Sequence, residues 1–163
     1  MNNFSILDIQ NIFNSLFQDE YKTELQYGAD EPFYKSSKGD ENHIIFCRED
    51  FFASALHEIS HWCIAGEKRR KEDDYGYWYN PDDRSLEEQI EFEKVEIKPQ
   101  AIEKAFSLAC KYPFKPSLDN HSLPNYCASS FVENIDLQYS KFQKEGFPKR
   151  AQQFINALET FYS

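Results

Sequence analysis

Apolar residues recur at two different spacings along the chain, and the changes between them predict its elements. Over residues 5 to 17, Ile6, Ile9, Phe13, Leu16 and Phe17 fall mostly three or four positions apart, which predicts an amphipathic helix with Ser5 as its N-cap. Glu24 to Tyr27 reads as a short strand that runs into the acid-rich turn Gly28-Ala29-Asp30-Glu31-Pro32. Ser36 to Asn42 is polar around Gly39 and reads as a loop, and His43 to Cys47 is a short apolar run that predicts a buried strand. A second helix is bracketed by Asp50 as a cap and Gly66 as a stop, with Phe52, Leu56, Ile59 and Cys63 on one stripe. Leu86 to Lys111 is helical by pattern but interrupted at Pro99, which either starts a second helix or kinks one long one. Lys111 to Pro116 reads as a rigid connector. Phe131, Ile135, Tyr139 and Phe142 mark a further helix that stops at Gly146, and Pro148 opens a last one carrying Ala151, Phe154, Ile155, Leu158 and Phe161. The expectation is an α+β fold: a mainly helical single domain over residues 1–163, with a small sheet.

The second helix carries the chemistry. Residues 57 to 61 read His57-Glu58-Ile59-Ser60-His61, an H-E-x-x-H motif. Four helical residues advance about 400°, so the two imidazoles lie about 40° apart and about 6 Å along one face, where they can chelate one transition metal. Glu58 is a carboxylate placed to hydrogen-bond a metal-bound water. The histidines sit off the apolar stripe among small neighbours, Ala53, Ser54, Ser60 and Ala65, and Glu58 is the only acid between Asp50 and Glu67. Two histidines and an acid in an apolar helix are costly to bury without a partner, and a metal is such a partner.

Charge narrows the function classes. The 28 acids outnumber the 18 bases for a net charge of -10, which argues against non-specific binding to nucleic acid or an anionic membrane and suits a cationic substrate or basic partner. Cys47, Cys63, Cys110 and Cys127 form no C-x-x-C pair, so a structural zinc knuckle is not expected. No basic-then-apolar leader and no long apolar run stands out, so the expectation is a cytoplasmic protein with free thiols.

A catalytic metal site usually has three protein ligands and an open position. The long zinc-protease signature would put glycine three residues and histidine six residues after the second motif histidine; here those places hold Ile64 and Glu67. Glu67 stays a weak candidate. A better source is Phe92-Glu93-Lys94-Val95-Glu96-Ile97-Lys98-Pro99, with acids among apolar residues before a proline, and the order of preference is Glu96, Glu93, Glu67. Two histidines and one carboxylate serve both zinc hydrolases and non-haem Fe(II) oxygenases. None of His43, His57, His61 and His121 has an acid two residues later, so the common H-x-D/E oxygenase spelling is absent. His43 and His121 read as surface or structural. Tyr75-Gly76-Tyr77-Trp78-Tyr79 reads as an aromatic loop, either lining a site or pinned to the core.

Together, Ala53 to Gly66, Gly28-Ala29-Asp30-Glu31-Pro32, Gly76-Tyr77-Trp78-Tyr79, Val95-Glu96-Ile97-Lys98-Pro99-Gln100-Ala101 and Tyr112-Pro113-Phe114 resemble the bacterial elongation factor P hydroxylase family, over about residues 20 to 120. The resemblance implies hydroxylation of the β-lysylated lysine of translation elongation factor P by a 2-His-1-carboxylate site like that of non-haem iron. His57 and His61 match the two histidine ligands, Glu58 the motif acid, and Glu96 falls in a matching segment. It further implies Fe(II), with another divalent ion able to sit there in a purified sample, and O₂ as co-substrate. Asp30 and Glu31, with acids near Asp73 and Asp74, are then expected to hold the substrate's ammonium groups, and Tyr77, Trp78 and Tyr79 to pack on its stem. The rival is a zinc metallopeptidase with Glu58 as general base, and a third class is a non-catalytic metal-stabilised binding module.

Overall fold

The computed structural model describes residues 4–76, 85–117 and 129–163. In chain order the elements are α1 (Ile6–Tyr21), β1 (Thr23–Ala29), β2 (Phe33–Lys35), β3 (His43–Arg48), α2 (Phe52–Ile64), α3 (Leu86–Cys110), α4 (Ser129–Glu145) and α5 (Lys149–Phe161). Two 3₁₀ turns, Arg69–Lys71 and Asp73–Gly76, follow α2. The α+β expectation holds: helices dominate and the three strands form one small sheet.

The sheet order is β1-β3-β2, with β3 parallel to β1 and antiparallel to β2. Strand β2 was not anticipated. Phe33, Tyr34 and Lys35 alternate exposed, buried, exposed, and three residues are too few to display a period. The free edge of β1 is covered by α1: Asn14 accepts the backbone N–H of Leu25 at 2.8 Å, and Gln10 donates to its carbonyl at 2.9 Å. Both main-chain groups of a strand edge are thereby satisfied. His43 is structural, because its Nδ1 accepts the Ser37 N–H at 2.8 Å and ties down the loop before β3. His121 and Cys127 lie outside the described residues.

One apolar cluster joins α1, the inner face of the sheet, α2, α3 and α5, with Ile9, Phe13, Phe17, Leu25, Ile45, Ile59, Trp62, Phe106 and Phe154 fully buried. Trp62 of α2 sits at its middle, with ring centroids 5.1 Å from Phe13, 5.0 Å from Phe17 and 5.4 Å from Tyr21. Such edge-on aromatic packing holds α2 against α1. Cys47, Cys63 and Cys110 are buried free thiols, each pushed up to about 12 by burial, so they pack as small apolar groups.

Helix ends differ from the sequence expectation. Ser5 occupies the N-cap of α1 without a side-chain cap bond, and the N-cap of α2 is Phe51 rather than Asp50. Ser54 instead accepts the Arg48 N–H at 3.0 Å, which fixes the turn from β3 into α2. Ser85 and Glu88 form a complete capping box for α3. Pro99 lies inside one continuous α3 instead of dividing it. It gives no N–H to the Val95 carbonyl, one turn back.

The C-terminal end of α2 is held by cations from afar. Arg150 of α5 donates to the carbonyls of Trp62 (2.6 Å), Cys63 (3.1 Å) and Ala65 (2.6 Å), and Arg70 donates to Ala65 (2.7 Å). The Arg150 guanidinium also lies 4.5 Å from the Trp62 ring centroid. These bonds satisfy carbonyls that a helix end leaves without partners, and place positive charge at the negative end of its dipole. Arg150→Met keeps most of the side-chain volume and removes every donor. It should lower stability by about 2–4 kcal/mol in urea unfolding, because charged donors to buried carbonyls are worth more than neutral ones.

Candidate metal centre

Helix α2 turns its apolar stripe to the core and leaves His57 and His61 on the flank that meets α3. On α3 the opposing surface is polar. Gln89, Glu93, Glu96, Gln100, Glu103 and Ser107 are all buried, at alternating spacings of four and three residues. That is a heptad seam made of polar rather than apolar side chains. Each stretch has its partner: Gln89 donates to Glu93, Gln100 exchanges two hydrogen bonds with the backbone of Ser117, and the middle faces the histidines.

Glu96 is the acid brought to the motif. His57 Nε2 and His61 Nε2 are 3.2 Å apart, His57 Nε2 lies 3.5 Å from Glu96 Oε1, and His61 Nε2 lies 2.9 Å from Glu96 Oε2. Two donors each about 2.1 Å from one ion stand about 3.0 Å apart at a right angle and about 3.4 Å at the tetrahedral angle. The three separations bracket those values, with Glu96 facing His57 through Oε1 and His61 through Oε2, so the three side chains border a space that one divalent ion could take. The 2.9 Å approach to Glu96 Oε2 is not aligned as a hydrogen bond, and that oxygen is buried without one. A buried carboxylate oxygen with no donor among the described residues, 2.9 Å from the His61 ring nitrogen, is the feature a cation would answer. His57 and His61 keep 17% and 16% of their side-chain surface exposed against 1% for Glu96, so the open side lies with the histidines.

The other candidates fall elsewhere. Glu93 is bonded to Gln89 one turn away, and Glu67 is exposed and pairs with Lys71 at 3.7 Å. Asp30 and Glu31 occupy the exposed bend after β1, with no ion pair among the described residues. Tyr77, Trp78 and Tyr79 lie outside the described residues. Asp73 and Asp74 serve the sheet instead: Asp74 accepts the Tyr34 N–H and Asp73 the Ser36 N–H, each at 2.9 Å. Glu58 is half-buried and accepts no hydrogen bond among the described residues.

Sequence reasoning missed Glu103. Its Oε1 lies 2.6 Å from His57 Nδ1, a charge-assisted hydrogen bond from the ring to a nearly buried carboxylate. A carboxylate only accepts, so Nδ1 carries the hydrogen and the neutral ring presents its lone pair at Nε2, toward His61 and Glu96. This is the carboxylate–histidine arrangement that orients a metal ligand and raises its basicity. Glu103 is seven residues after Glu96, so the heptad of α3 was the available signal.

Burial opposes charge on both histidines, but Glu103 and Glu96 at His57, and Glu96 at His61, outweigh it, so His57 is held well above its ordinary value and His61 above it. Burial likewise opposes ionisation of Glu96, yet His61 and His57 hold its carboxyl well below the usual range. Burial raises Glu58, with His57 and His61 opposing and Glu96 and Asp74 reinforcing.

The turn beside this site is strained. Asp74 (φ 50°), Tyr75 (φ 59°) and Gly76 (φ 78°) are consecutive left-handed residues. The left-handed conformation costs about 1–2 kcal/mol at each non-glycine position. At Gly76 the positive φ favours glycine, whereas the nearby Glu72 carboxylate is the end of a flexible exposed side chain. The turn is held by Asp74 on the Tyr34 N–H, by Arg69 on the Tyr75 carbonyl at 3.3 Å, and by the Tyr75 ring stacked 4.3 Å from Tyr34.

The model of the family described as Elongation factor P hydroxylase matches residues 12–163. The Elongation factor P lysine hydroxylase of Haemophilus influenzae is 44% identical over 158 residues, which covers 96% of this chain and 88% of that protein. The chain therefore belongs to the elongation factor P hydroxylase family. The match runs on through α4 and α5, beyond the segments that carried the sequence resemblance.

Two outcomes follow from the geometry. Glu103→Gln keeps an acceptor but removes the charge, and should weaken metal affinity about ten- to a hundredfold in a competition titration while leaving the fold intact. In chelator-treated protein, the raised histidines stabilise the fold below their unfolded value of 6.5 and lose that contribution as pH rises through their folded values. The depressed Glu96 stabilises above 4.5 and loses its contribution as pH falls. Metal-free melting temperature should therefore be highest between these values and decline toward pH 9, and added divalent metal should remove the alkaline decline.

Proposed function

We propose that this chain hydroxylates a lysine side chain of translation elongation factor P, the β-lysylated residue, with His57, His61 and Glu96 holding a divalent ion. What carries the reading is the three-donor set at ion-binding separations in a member of this family. A redox-active ion such as Fe(II) would supply activation of O₂, which Zn²⁺, with no redox chemistry, would not. Placing one oxygen atom of O₂ in a C–H bond sends the other to water, which takes two electrons and two protons from an external reductant.

The chain's own residues do the rest. Glu103 holds the His57 ring so that Nε2 faces the shared point. Glu96, buried beneath the histidines, closes the inner side and leaves the solvent-facing side for co-substrate and substrate. Glu58 has its pKa raised by burial and is the group available to exchange a proton at that open side. Asp30 and Glu31 on the surface, with Tyr77 and Trp78, are assigned to the cationic substrate. Among the described residues no helix is long and apolar enough to cross a membrane, and the reading places the protein in the cytoplasm with its substrate.

Mass spectrometry of β-lysylated elongation factor P after incubation with the protein, Fe(II), O₂ and ascorbate should show the gain of one oxygen atom on lysine. His57→Ala and Glu96→Ala should abolish both metal uptake and oxygen gain. Peptide cleavage instead would establish the peptidase, and neither reaction with metal bound would leave a binding module.

A further inference from the structure

A small cavity of ≈140 Å³ opens beside His61, bounded by Ile64, Ala65, Gly66, Arg69, Tyr75, Val95 and Pro99. Pockets for drug-sized ligands run to about 300–1,000 Å³, so this one suits a single side chain. Its walls are of two kinds. Ile64, Val95 and Pro99 give an apolar surface, while His61 carries it to the metal-ligand cluster. Exposed Arg69 is engaged at the Tyr75 carbonyl.

Tyr75 is the anomaly. It is only 5% exposed, and its hydroxyl is buried with no hydrogen-bond partner among the described residues. Tyr34, stacked against it, is by contrast satisfied, donating to the Arg70 carbonyl at 2.6 Å. Leaving a phenol hydroxyl unpaired costs stability, and so does the left-handed backbone that delivers it. A phenylalanine would fill the same space without the unmet hydroxyl. Burial first, and then the Glu58 carboxylate, hold the phenol well above its ordinary value, so it stays an O–H donor. Val95 and Pro99, which both bound the cavity, are also the pair whose helical hydrogen bond is missing, because Pro99 has no N–H to give.

Resting on the lysine-hydroxylase reading, we propose that this cavity receives the substrate side chain and that the Tyr75 hydroxyl is its hydrogen-bond partner. The aliphatic stem lies along Ile64, Val95 and Pro99, and polar atoms of the inserted chain reach the Tyr75 hydroxyl, which the cavity as it stands does not expose. The strained turn from Asp73 to Gly76 holds the hydroxyl in place. Tyr75 is then a substrate-binding residue.

Tyr75→Phe keeps the ring stack and removes only the hydroxyl. It should leave metal content unchanged and the melting temperature equal or higher, while kcat/KM for elongation factor P falls about ten- to a hundredfold. Val95→Trp, at a half-exposed helix position on the rim, should block entry and raise KM with metal content unchanged. An independent readout is the visible spectrum of the Co(II)-loaded protein titrated with β-lysylated elongation factor P. Wild type should respond, and Tyr75→Phe should need at least tenfold more substrate. Oxygen gain and kcat/KM in Tyr75→Phe within twofold of wild type would overturn the proposal, as would a Co(II) response equal in both proteins or absent from both. A Tyr75-dependent response without oxygen gain in wild type would instead remove the hydroxylase reading and keep the cavity.

Discussion

The structure is organised around burying His57, His61, Glu96 and Glu103 between two helices. Ionisable groups taken out of water are tolerated only when their partners are accurately placed. Here two carboxylates from α3 answer two histidines from α2: Glu96 lies against both rings and Glu103 holds His57. Histidines raised above their ordinary value beside a depressed Glu96 make a self-consistent metal-free state, and the same positions match the spacing of ligands around one ion. The contacts that let these groups be buried thus also set the spacing of the three possible metal-holding side chains.

Such a site requires that neither helix slide or rotate. Trp62, packed among the aromatics of α1, fixes the rotation of α2, and the arginine fork from α5 fixes its end. On α3 the polar seam prevents slippage. A shift by one turn would put Gln100 or Glu93 where Glu96 now stands and take Glu103 away from His57. The seam resembles a coiled-coil interface in spacing and differs in content, exchanging apolar adhesion for placement of charged groups.

Strain accumulates on the open side. Tyr75 combines a left-handed backbone with an unmet hydroxyl beside the cluster, and the neighbouring acids Asp73 and Asp74 are committed to β2. Acids that read as substrate contacts in the sequence are thus the fasteners of the turn. Their carboxylates cap strand N–H groups, which composition and local spacing could not distinguish from surface charge.

The sequence by itself determined the helical segments, the strand at His43, the H-E-x-x-H face and the candidacy of Glu96, because these rest on periods of three to four residues and on local residue type. It did not determine β2, whose three residues carry no readable period, or the real cap of α2. Nor did it choose among Glu96, Glu93 and Glu67, since all three are acids near a helix and only the approach of α3 to α2 tells them apart. Glu103 shares the heptad spacing of Glu96, but its role is a 2.6 Å contact across 46 residues of chain, which spacing alone does not assign. Long-range pairing decided the site because a metal set needs donors converging in space, and one helix supplies only two of them.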